Sequence, residues 1–166
     1  MKIRHATKSD LHDIAAVHIE SWKDVYTDVL PAEFLNGQIN RDFLQHWSEI
    51  DIQTEDIVLV AEELSIVGFI AVWCRPTPFI DNLHVRPSQR SKKVGSALMR
   101  AAARELISRG HQTAYLWVFE SNQKAIRFYE RFGGVSKEQS IKTVFGYDVL
   151  SRKIEWAKLS VICGLT

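Results

Sequence analysis

The chain has 166 residues, 46% of them hydrophobic and 25% charged, as expected of a single soluble globular domain with a sizeable core. With 21 Lys+Arg against 20 Asp+Glu, the net charge is +1, so no global charge draws it to nucleic acid or a membrane surface. No apolar run reaches spanning length, the first ten residues carry no apolar leader, and Cys74 and Cys163 have neither metal-ligand nor disulfide-framework spacing, which predicts a cytoplasmic protein.

Residues 2–6 read as a first strand. Ser9 or Asp10 then caps a helix whose apolar positions include Leu11, Ile14, Ala15, His18 and Trp22. Pro31 suits the first turn of a second helix with Phe34 and Leu35, and Phe43, Leu44 and Trp47 indicate a further helical piece. The aromatics here are mostly core, and any that line the gap between these helices are open to a substrate. Strands at 57–61 and 66–73, joined by Glu62-Glu63-Leu64-Ser65, read as an antiparallel hairpin. A strand at 79–85 precedes a helix with apolar residues at Val94, Ala97, Leu98 and Ala101, which ends near Gly110. The next strand is 113–119, and a helical crossover makes it a parallel neighbour of the strand ending at Val85.

Ser121 or Asn122 caps a helix with Ala125, Phe128, Tyr129 and Phe132 on one stripe, and Gly133-Gly134 ends it. Residues 135–140 and 145–156 read as a closing antiparallel hairpin. The tail, 157–166, is expected to add a strand or pack on a partner through Leu159, Val161 and Ile162. With no repeat or linker, 1–166 reads as one mixed α/β domain.

The stretch 82–98, NLHVRPSQRSKKVGSAL, organises the rest. A strand breaks at Pro87, and a basic turn, Arg90-Ser91-Lys92-Lys93, leads into the helix at Val94. Basic side chains at a helix start oppose its dipole, while the unpaired N–H groups there suit an anion. Such a turn is either solvated or a phosphate site, and the downstream residues favour the second.

These residues resemble the GCN5-related N-acetyltransferases, the acyl-CoA-dependent GNAT superfamily. Its pyrophosphate signature, Gln/Arg-x-x-Gly-x-Gly/Ala, corresponds to Arg90-Ser91-Lys92-Lys93-Val94-Gly95, with Lys93 in place of the first glycine. Asn122-Gln123-Lys124-Ala125-Ile126-Arg127-Phe128-Tyr129, followed by Gly133, is similar to the family's Asn-x-x-Ala-x-x-Phe-Tyr helix. The Trp22 helix and the segment from Leu30-Pro31 to Phe34-Leu35 are also family-like, so the resemblance covers nearly the whole chain. It implies a central, mostly antiparallel sheet with a splayed parallel strand pair, flanked by helices. It also implies acetyl-CoA as cofactor, with backbone donors along Arg90, Ser91, Lys92, Lys93, Val94, Gly95 and Ser96 and with the Arg90 and Lys92 side chains available to its phosphates. Leu83, His84 and Val85 would offer backbone groups to the pantetheine arm, and Asn122 would contact the cofactor.

The implied activity is direct transfer of an acetyl group to a primary amine in a ternary complex. The carbonyl needs polarising, which suits a strand N–H near Val85. The departing thiolate needs a proton, and Tyr129 is the candidate acid, with core packing as its alternative. Asp81 is the candidate base, working through water; His84 or bulk solvent are the alternatives. Asn122 is also explained as an N-cap. The acceptor is expected to be a small-molecule or peptide amine met by residues 22–40, Trp22 and Tyr26 among them, and by 137–145. A homodimer is left open, while no metal, nucleic acid or membrane is expected. A catalytically silent acyl-CoA-binding module is the rival reading, with a nucleic-acid-binding domain a weaker third. Lys93 is expected to have a helix-compatible backbone, because Val94 starts the apolar period, and to place its ammonium near the phosphates.

Overall fold

A computed structural model describes residues 1–164. In chain order the elements are β1 (Lys2–His5), α1 (Leu11–Val25), α2 (Ile39–Glu49), β2 (Ile57–Glu62), β3 (Ile66–Cys74), β4 (Pro78–Val85), α3 (Val94–Ser108), β5 (Ala114–Phe119), α4 (Gln123–Arg131), β6 (Val135–Val144) and β7 (Tyr147–Trp156). Hydrogen bonding links the strands in the order β1-β2-β3-β4-β5-β7-β6. β1–β2, β5–β7 and β6–β7 are antiparallel, and β4–β5 is parallel. The fold is therefore the mixed α/β sheet with one parallel pair that the sequence implies. That pair is registered near the strand starts, where Phe79 stands opposite Tyr115.

By its contacts the chain forms two compact units, residues 1–71 with 82–99, and residues 72–81 with those from 100 on. In the first, α1 begins where Asp10 Oδ2 accepts from both the Thr7 N–H and the Thr7 hydroxyl. The Arg4 guanidinium then bridges Asp10 and Glu62 across the β1–β2 pair. Ile14, Phe34, Ile39, Phe43, Trp47 and Phe69 are fully enclosed and form this unit's core. The helix expected at Phe34 and Leu35 and the further piece expected at Phe43, Leu44 and Trp47 are continuous, because a π-helical turn, Phe34–Gln38, runs directly into α2.

In the second unit, β7 lies between β5 and β6, and Trp156, Leu106 and Ile154 fill the core. The β6–β7 hairpin is longer than expected and turns at Phe145-Gly146, both with positive φ, the pair of backbone angles a two-residue hairpin turn requires. Gly133 and Gly134 end α4, as expected. A Cβ on Gly134 would come within 2.6 Å of Ile154 and 2.8 Å of Trp156, so this position needs close backbone approach. The tail is not a strand. Leu159–Cys163 makes a short 3-10 turn that buries Leu159 and Ile162, because apolar residues three apart share one face of such a turn. Residues 165 and 166 of that expectation lie outside the described chain.

Candidate functional site

In the first unit the loop after β4 is built for close N–H packing. Pro87–Gln89 makes one 3-10 turn, Arg90 is extended, and Ser91 and Lys93 take φ of 67° and 63° before α3 starts at Val94. Lys92 between them is not left-handed. A left-handed residue beside one of the other hand can aim neighbouring N–H groups at one anion, and here the Arg90 and Lys92 N–H groups are taken by the Pro87 and Gln89 carbonyls, which leaves those of Ser91 and Lys93. Val94, Gly95 and Ser96 add the first turn of α3. The expectation for Lys93 is thereby corrected. Its backbone is left-handed, because the turn must reverse before the helix, and the apolar period at Val94 says nothing of the preceding residue.

Two basic side chains of this segment, Arg86 and Arg90, are held by α1. Arg90 is salt-bridged to Asp24 and donates to Ser21 Oγ at 3.3 Å. Arg86 is salt-bridged to Glu20, and its Nε donates to the Ile66 carbonyl at 2.9 Å. Gln89 Oε1 is buried without a hydrogen-bond partner. Sequence reasoning missed Ser21, Asp24 and Glu20. The available signal was spacing, since carboxylates four apart on a helix can face arginines four apart on a loop.

His84 sits where strand and helix meet. Its side chain lies on the α1 side of β4, with Nδ1 3.0 Å from Ser21 Oγ and its ring 4.5 Å from that of His18. Burial and then the charge of Arg90 push the imidazole down to about 3, so it is neutral near pH 7. His18 is buried between Phe43, Trp47 and Phe69 and takes a hydrogen bond on Nδ1 from Trp47 Nε1 at 3.0 Å. Burial, then the neighbouring His84 and His46, holds it well below the usual histidine range. Trp22 and Tyr26 are each only 7% exposed and pack edge-on against each other.

In the second unit, Asp81 is exposed and accepts from Trp73 Nε1 at 2.9 Å. Burial alternates along β4, with Ile80 and Asn82 buried on either side of it. Asn122 caps α4 through a hydrogen bond from the Ala125 N–H at 3.2 Å. Tyr129 is 9% exposed, with its ring edge-on to Trp156 at 6.0 Å. Among the described residues no group of three or more His, Cys, Asp or Glu is placed to hold a metal ion. No helix there is long and apolar enough to cross a membrane.

Comparison with known proteins gives the same direction. The model of the Acetyltransferase (GNAT) family matches residues 19–134. The chain is 24% identical to YuaI, an uncharacterized N-acetyltransferase of Bacillus subtilis, over 96% of this chain and 95% of that protein. It is 31% identical to an uncharacterized N-acetyltransferase of Archaeoglobus fulgidus, over 78% of this chain and 89% of that one. The fold is similar to that of the paiA N-acetyltransferase of Thermoplasma acidophilum, solved with coenzyme A. There the TM-score is 0.68 at 22% identity, covering 91% of this chain and 96% of that chain.

Proposed function

Because this chain belongs to the acetyltransferase (GNAT) family, we propose that it is an acetyl-CoA-dependent N-acetyltransferase acting on a primary amine by direct transfer in a ternary complex. The observation that carries the reading is the loop at the head of α3. Its left-handed Ser91 and Lys93 turn backbone N–H groups together beside a helix start, the donor set a pyrophosphate takes.

Bound acetyl-CoA supplies the activated acetyl group. In this reading Ser91 and the residues from Lys93 to Ser96 hold its phosphates through backbone N–H groups, while the Arg90 and Lys92 N–H groups donate to the Pro87 and Gln89 carbonyls. The Arg90 guanidinium stays on Asp24 and Ser21 and fixes the loop to α1. Leu83, His84 and Val85 offer strand backbone to the pantetheine arm, and the Val85 N–H polarises the carbonyl under attack. The β4–β5 register at Phe79, upstream of those residues, supports this use of the strand. Asn122 adds a cofactor contact to its capping role.

Tyr129 gives a proton to the departing thiolate, since a phenol near pKa ~10 can protonate a thiolate whose thiol titrates near ~8.5. Asp81 takes the amine's proton through water. His84 is poorly suited to that task, because its Nδ1 faces a hydroxyl that has a hydrogen to give it. Trp22 and Tyr26 shape the acceptor side as packed walls.

The test has two arms. Acetyl-CoA at a hundredfold excess over its dissociation constant should add about 2.7 kcal/mol of stability and raise the thermal midpoint. Thiol release should then follow addition of primary amines from a panel. An unmoved midpoint at millimolar acetyl-CoA refutes the cofactor assignment. A raised midpoint without thiol release from any amine leaves a silent acyl-CoA-binding module.

A further inference from the structure

Ser21 decides which nitrogen of His84 carries the proton. A hydroxyl has one hydrogen, and Ser21 Oγ already accepts from the Arg90 guanidinium at 3.3 Å. The partner left for the Ser21 hydrogen among the described residues is His84 Nδ1, 3.0 Å away. The arrangement that satisfies the Ser21 hydrogen is donation to His84 Nδ1, and in a neutral ring with that tautomer the proton sits on Nε2. Asp24 completes the chain by holding Arg90 in place.

The neighbouring ring is set the same way. Trp47 Nε1–H can only donate, so His18 Nδ1 accepts and its Nε2 also carries a proton. That Nε2–H is fully buried and has no acceptor. With these tautomers the tilted pair offers two N–H groups and no free lone pair on the α1 side of β4. His84 is the half-buried member, so its Nε2–H is the one a ligand can reach.

We propose that His84 is a specificity-determining residue whose Nε2–H donates to an oxygen beside the acceptor amine, with Ser21 and Arg90 as positioning residues that fix its tautomer. The inference rests on the transferase reading and narrows its substrate class. The acceptor is an amine next to a carbonyl or carboxylate oxygen, as at a peptide N-terminus, rather than a plain alkylamine or polyamine. A half-buried donor against aromatic walls gains little from an alkyl chain, which leaves it without an acceptor.

Two measurements test it. Nitrogen-15 spectra of the histidine rings read the tautomer directly. They should show unprotonated Nδ1 and protonated Nε2 at His84, and Ser21→Ala should raise the Nδ1–H fraction. Kinetics then compare an alanyl dipeptide amide with propylamine in wild type, His84→Leu and His84→Gln, so that the amines' own reactivities cancel. His84→Leu should lower kcat/KM for the peptide roughly tenfold to a hundredfold more than it lowers that for propylamine, mainly through KM. His84→Gln keeps an N–H donor and should recover part of the loss. An Nδ1–H tautomer in the wild type overturns the proposal, as do equal losses with both acceptors. Turnover of propylamine but not of the peptide overturns it while the transferase reading stands. No turnover with any amine, acetyl-CoA being bound, removes both.

Discussion

Replacing Lys93 by glycine should make the protein more stable, an unusual direction for a mutation to glycine. With φ of 63°, Lys93 sets its Cβ against its own carbonyl. That costs a non-glycine residue roughly 1–2 kcal/mol. Glycine removes the clash but gives back about 0.5–1 kcal/mol through its freer unfolded chain. The lysine also stands one residue before α3, where its charge opposes the helix dipole by a few tenths of a kcal/mol or somewhat more. The net is about 1 kcal/mol in favour of Lys93→Gly, or roughly 2–4 °C in Tm for a chain of this size. Urea unfolding of wild type, Lys93→Gly and Lys93→Ala separates the contributions. Alanine removes the charge but keeps the Cβ, so it should recover only the electrostatic part. A glycine variant no more stable than the alanine variant would refute the backbone argument. Acetyl-CoA affinity across a salt series then reads the lysine's charge. Weaker binding by both variants at low salt, converging as salt rises, is expected if the ammonium lies near the phosphates.

Tyr129→Phe should lower turnover by roughly 10²–10⁴-fold with little change in acetyl-CoA affinity, measured by thiol release where chemistry is rate-limiting. Unchanged turnover there returns Tyr129 to core packing beside Trp156. The paired histidines predict a pH effect. Both are neutral in the fold and held below the ordinary value, so the unfolded chain binds the more protons; their contribution is complete above about pH 6.5 and is lost as pH falls below it, for His84 down to about 3. Urea unfolding from pH 7 to 5 should lose up to about 1.4 kcal/mol per pH unit for each histidine, and His84→Gln should remove one share of that slope. Asp10, held well below the carboxylate range by Arg4, supports stability above pH ~3.8 and adds its loss only as pH falls further.

Sequence read best where one chain segment fixes its own outcome. The apolar period fixed α3, and the Gly133-Gly134 stop fixed the end of α4, because both are decided within a turn or two. The parallel β4–β5 pair followed from the helix between the two strands. What could not be read depends on distant partners or on backbone hand. Lys93 looked like a helix residue because side-chain periodicity carries no information about φ. Trp22 and Tyr26 looked available to a substrate, yet Phe43, twenty-one positions after Trp22, meets that ring at 4.9 Å and helps to bury it. His84 reads from sequence as an alternative base, and nothing near it in the chain announces Ser21, sixty-three residues earlier, whose hydroxyl lies against its Nδ1.

Distance in the chain also explains what α1 does for the loop. Glu20, Ser21 and Asp24 occupy one turn of the helix, and Arg86 and Arg90 reach them from the segment between β4 and α3. As ion pairs at half-exposed sites these contribute little to stability, since water and salt screen them. Their value is positional. Arg86 also spans to the Ile66 carbonyl, so the arginine pair ties one helix turn to β3 and to the loop together. Arg90 has a second duty, because one guanidinium nitrogen pairs with Asp24 while another donates to Ser21. The same side chain that ties the loop to α1 also reaches the hydroxyl beside His84, two contacts that a phosphate-bound arginine would have to give up.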